Sequence, residues 1–129
     1  MDNNKCLLIY GFNENEKEVL QQINDKEGLE KVIEITDTMT SMTLRTLIEG
    51  PHVEGEAKPL PKEKVVLFNN FSDDELENSI RAIRASLGGQ PIFAIVTPTS
   101  KEWTFAYLIE HLIEEREYFR KRQNRNEGQ

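Results

Sequence analysis

Two stretches of this chain repeat each other, and no other feature limits its architecture as much. Residues 36–49 laid on 97–110 keep Thr36/Thr97, Thr38/Thr99, Thr43/Thr104, Leu47/Leu108, Ile48/Ile109 and Glu49/Glu110, six identities in fourteen positions, where composition alone gives about one. Residues 5–18 laid on 64–77 keep Lys5/Lys64, Leu8/Leu67, Phe12/Phe71, Glu16/Glu75 and Glu18/Glu77. The offset changes from 59 to 61, so the second copy has two extra residues between its first helix and its second strand. A unit of about 50 residues is marginal for a core of its own. The halves are therefore expected to bury their apolar faces on one another, within one chain or across a dimer.

The repeated pieces read as β-α-β-α. Cys6–Tyr10, Val32–Ile35, Val65–Phe68 and Ile92–Val96 are apolar runs of strand length, and unbroken β-branched and aromatic runs mark strands covered on both faces. Glu34 interrupts its run and places that strand at an edge. Ser72-Asp73-Asp74-Glu75 and Thr99-x-x-Glu102 have the form of capping boxes, and Asn13-x-x-Glu16 resembles them. Thr38 is the expected cap of the remaining helix. Gly28, Gly50-Pro51 and Gly88-Gly89 supply the stops. The last helix is expected from about Ser100 to about Arg122, with Phe105, Leu108, Ile109, Leu112, Ile113 and Phe119 as its apolar stripe.

The expected fold is α/β: tandem β-α-β-α repeats forming one mainly parallel four-stranded sheet with packed helices, in strand order 2-1-3-4. Residues 1–50 are the first repeat, 51–63 a Pro/Gly-rich linker, 64–122 the second repeat and 123–129 a disordered tail. Right-handed crossovers between parallel strands bring all four strand-to-helix turns to one sheet edge, where ligands of such sheets bind.

The second half also resembles a known family. Phe68-Asn69-Asn70-Phe71-Ser72-Asp73-Asp74-Glu75-Leu76, Val96-Thr97-Pro98-Thr99-Ser100-x-x-Trp103-Thr104, and Leu108-Ile109-Glu110 followed by Leu112 and Glu115 resemble the small bacterial family called domain of unknown function 3783. The likeness runs from Val65 to about Arg122. In the first half Asp37 stands where Pro98 does, and Met42 where Trp103 does. The resemblance implies a small α/β module. It brings no activity and no catalytic residue.

Composition narrows the function further. The 129 residues include 16 Lys plus Arg and 23 Asp plus Glu, a formal net charge of −7. Such a chain is a poor general ligand for nucleic acid or anionic membranes. One Cys makes no intrachain disulfide, and Cys6 is expected to be a buried inert thiol. The apolar run near the start is too short for a signal peptide or a bilayer span. These features point to a cytoplasmic protein.

The expected turn edge carries Asn13, Thr36, Asp37, Thr38, Asn69, Asn70, Thr97 and Thr99, a candidate ligand edge for a polar small molecule. The plainer reading is that the threonines cap helices and end strands. Phosphate is disfavoured by Glu14, Glu16, Asp73, Asp74, Glu75 and Glu102 in the first turns, and no Gly-rich loop is present. His52-x-Glu54-x-Glu56 falls short of a zinc ligand set. Arg120, Lys121, Arg122 and Arg125 suit the negative pole of the last helix, and the rest of the chain holds 12 basic and 23 acidic residues. Trp103 is expected in the first turn of the last helix. Tyr107, His111, Glu114 and Tyr118 follow on one face, and with Trp103 they form a candidate interface. No catalytic residue, metal site or cofactor site emerges. The expectation is a non-catalytic binding or protein-interaction module that self-associates through the last helix, with a small-ligand sensor or enzyme at the Thr-rich edge as the alternative.

Overall fold

The two longest apolar runs become the centre of the sheet. β1 (Cys6–Tyr10) and β3 (Val65–Asn69) are buried along their whole length. A computed structural model of the chain describes residues 5–26, 31–51, 55–58, 60–88 and 91–127. The order of elements is β1, α1 (Glu14–Lys26), β2 (Val32–Glu34), α2 (Leu44–Glu49), β3, α3 (Asp73–Leu87), β4 (Ile92–Ile95) and α4 (Phe105–Glu127). Short 3-10 turns precede α2 (Asp37–Met39) and α4 (Ser100–Glu102).

The sheet has the expected order, β2-β1-β3-β4, with Glu34 on an outer strand. It is mixed rather than mainly parallel. β1 and β2 pair parallel, as do β3 and β4, but β1 and β3 pair antiparallel with Leu8 opposite Leu67. The reason lies in the joint between the halves. Crossovers fix the direction of β2 against β1 and of β4 against β3, but residues 51–63 between the halves impose no such direction, and β1 and β3 meet antiparallel.

Side chains alternate across the central strands. Cys6, Leu8, Tyr10, Val65 and Leu67 pack with residues of α2 and α4, including Leu44, Leu47, Phe105 and Ile109. Leu7, Ile9, Val66 and Phe68 pack with Leu20 of α1 and Ile83 of α3. The molecule is thus three layers, and Cys6 is buried as expected.

Several helix starts differ from the sequence reading. Asn13 and Glu16 form a reciprocal capping pair at α1, and Ser72 and Glu75 do so at α3. Thr38 and Thr99 cap neither α2 nor α4. Those caps are Thr43, which accepts from the Thr46 amide, and Thr104, which accepts from the Tyr107 amide. The 3-10 turns use up the residues in between, so Thr99-x-x-Glu102 is not a capping box and Trp103 lies before α4 in extended conformation. α4 also runs to Glu127, through most of the expected tail. The stops at Gly50 and Gly88 stand. Gly28 and Gly89 lie outside the described residues.

Candidate functional site

The antiparallel joint divides the expected ligand edge. The Cα register sets Tyr10, at the end of β1, opposite Val65, at the start of β3. Asn13, Thr36, Asp37 and Thr38 therefore gather at one end of the sheet. Asn69, Asn70, Thr97 and Thr99 gather at the other. Parallel crossovers are confined to each half, so nothing brings the four turns together.

Much of this set is also engaged internally. The Asn13 side chain accepts from the Glu16 amide at 2.8 Å, and the Thr36 and Thr38 hydroxyls lie 3.0 Å apart. Thr97 and Ser100 exchange amide-to-hydroxyl hydrogen bonds of 2.9 and 3.0 Å. Asn69 is buried. Asn70 holds a positive φ of 61° at the turn where Gly11, its counterpart, has 87°.

Asp37 lies beside a cleft. A space of about 430 Å³ opens between Tyr10, Gly11, Asp37, the linker residues Leu60, Lys62 and Glu63, and Lys64. The Tyr10 hydroxyl donates to Asp37 at 3.2 Å. Burial, and secondarily the Asp37 charge, raise that hydroxyl above its ordinary pKa. The linker backbone closes over this end of the sheet, with the Gly55 amide on the Thr38 carbonyl at 2.9 Å.

The α4 residues do come together. Trp103 meets Tyr107 edge-on at 4.9 Å and His111 at 5.2 Å, and the Tyr107 and His111 rings stack at 6.4 Å. Further along, His111, Glu114, Glu115, Tyr118 and Phe119 border a shallow space of about 470 Å³. His111 faces Glu115 at 3.5 Å rather than Glu114.

Sequence reasoning passed over two sets of charged contacts. Lys5 pairs with Glu75 and Lys64 with Glu16, each joining one half to the other. All four were already visible as repeat identities. Arg116 of α4 grips Glu63 of the linker with two hydrogen bonds of 2.6 and 2.9 Å, which no spacing rule would reveal. Glu16 and Glu63 are both held below the usual carboxylate range, chiefly by hydrogen bonds from Lys64 and Arg116 respectively.

Among the described residues, no three His, Cys, Asp or Glu side chains stand together to hold a metal. No described helix is long and apolar enough to cross a membrane. His52 and Glu54 of the weak ligand motif lie outside the described residues.

These features define a small three-layer α/β protein. Residues 64–119, which take in β3, α3, β4 and much of α4, match the family model described as Domain of unknown function (DUF3783). No curated protein and no solved structure matches the chain.

Proposed function

We propose that this chain is a non-catalytic protein-interaction module whose first partner is a second copy of itself. One observation carries the reading. Among the described residues the exposed large apolar side chains are Ile95, Tyr107, Tyr118 and Phe119, and all four belong to the second half. Two such surfaces are available, the α4 face and the outer edge of β4. Large exposed apolar groups mark contact surfaces.

The chain also reads as two copies of one unit. The register supports this: Leu8 faces Leu67 and Thr43 faces Thr104, each residue opposite its own repeat counterpart. The single Cys6, buried, and the net charge of −7 fit a cytoplasmic protein without nucleic acid as partner. The alternative, a small-ligand sensor, is favoured by the cleft beside Tyr10 and Asp37.

Sedimentation equilibrium of the full chain from low to high micromolar concentration tests the proposal. A reversible shift from monomer to dimer is expected. A monomer at every concentration would remove self-association.

A further inference from the structure

The repeat supplies an internal control for the two outer edges of the sheet. Strand register matches Leu7↔Val32 with Val66↔Phe93, and Ile9↔Glu34 with Phe68↔Ile95. Glu34 of β2 and Ile95 of β4 are therefore equivalent. On the flanking helices the offset of 59 makes Lys17 equivalent to Leu76 and Gln21 to Ile80.

At the β2 edge these positions are charged or polar and engaged. Lys17 donates to both Glu14 and Glu34, at 2.7 and 3.0 Å, and Gln21 donates to Asp25. Charge on an outer strand keeps other strands away. At the β4 edge the same positions are Leu76, Ile80 and Ile95, and Ile95 is 55% exposed. A groove of about 530 Å³ runs along α3 there, lined by Asp73, Leu76, Glu77, Ile80, Arg81 and Arg84.

The charges of this groove are ordered. Asp73 and Glu77 lie toward the start of α3, Arg81 and Arg84 toward its end. Turned about a two-fold, the groove meets itself with each carboxylate near a guanidinium of the other copy. β4 bonds inward through its alternate residues, with the Ile92 amide on Lys64 and the Val96 amide on Phe68. Phe93 and Ile95 therefore direct their backbone groups outward. A second β4 running antiparallel about Ala94 would set Phe93 against Ile95, an aromatic and β-branched cross-strand pair. This repeats the joint the chain already makes between β1 and β3, where α1 and α3 pack together on one face.

The geometry points to a homodimer formed by β4 against β4 and α3 against α3, continuing the sheet from four strands to eight. The inference rests on the self-association proposed above and moves the contact from α4 to β4. Among the described residues one edge of each chain is open and Lys17 and Glu34 close the other, so the assembly stops at a dimer rather than growing into a fibre.

A charge-swap experiment on the full chain tests it. Asp73→Arg and Arg84→Glu each place like charges across the two-fold, and each alone is expected to weaken the dimer at least about tenfold. Mixed in equal amounts, the two variants face each other with both pairs complementary, and the dimer is expected to return. Ile95→Lys is expected to give a monomer with the circular dichroism of the parent. If the mixture dimerises no better than either variant alone, the inference fails. If the dimer survives Ile95→Lys but is lost in Tyr107→Glu/Tyr118→Glu, self-association stands and the contact lies on α4. If the unaltered chain is monomeric throughout, both proposals fall and the β4 edge is left to an extended segment of another protein.

Discussion

Thr43 stands opposite Thr104 in an isolated antiparallel bridge, and each is the other's counterpart in the repeat. The bridge is reciprocal: the Leu44 amide donates to Trp103 and the Phe105 amide donates to Met42, at 3.0 and 3.1 Å. Leu44 and Phe105 are themselves counterparts, as are Met42 and Trp103. A second self-paired position, Leu8 opposite Leu67, lies at the centre of the sheet.

Both threonines also cap helices, which gives the first prediction. Thr43→Ala and Thr104→Ala should each lower unfolding stability by about 1 kcal/mol in urea. Thr99→Ala, at the cap position expected from sequence, should change it by a few tenths at most, since Thr99 makes no side-chain capping bond.

How much was legible in the sequence follows from such residues. Strands, order, two capping pairs and the α/β class come from runs and spacings that act locally. Thr38 and Thr99 misled because they are also repeat identities, and the intervening 3-10 turns leave no periodic signature. The direction of the joint was missed for another reason. Parallel and antiparallel pairing of β1 with β3 bury the same residues, so the apolar pattern cannot choose between them. That choice split Thr36 to Thr38 from Thr97 to Thr99. The apolar patch at Ile95 could have been found by asking where the two repeats differ rather than where they agree.

The linker's passage over the first turn yields a second prediction. Gly11 has a φ of 87°, and a Cβ there would stand 2.0 Å from the Glu63 carbonyl oxygen. The neighbour is backbone and cannot yield cheaply. Gly11→Ala should cost about 3 kcal/mol. Gly88, at φ 80° and ψ −176°, meets nothing within 4 Å, so Gly88→Ala should cost only the strain of a backbone conformation that side chains rarely adopt, about 1–2 kcal/mol. Thermal melts of the pair separate the two effects.

A third prediction concerns acid. Glu63 and Glu16 have folded pKa values below their unfolded ones. Their contribution is therefore present above the unfolded value of about 4.3 and is lost as pH falls through the lower folded values. Glu63→Gln should cost about 1 kcal/mol at neutral pH and flatten the loss of stability between neutrality and strong acid. An unchanged slope of stability against pH would show that the Arg116 contact does not hold in solution.

Buried polarity between the sheet and α1/α3 gives a fourth. Ser79 is 1% exposed, and its hydroxyl has no hydrogen-bond partner among the described residues. Its counterpart in α1 is Leu20, fully buried. The two helices pack on one face, so a large side chain at one position leaves room for a small one at the other. Ser79→Ala removes the desolvated hydroxyl without opening a cavity and adds helix propensity, and it should raise stability by up to about 1 kcal/mol. Ser79→Leu, which would make the halves alike, should instead cost about 1–3 kcal/mol through overpacking. Should the leucine variant prove the more stable of the two, the space beside Ser79 is larger than this packing allows, and the asymmetry of the interface has another cause.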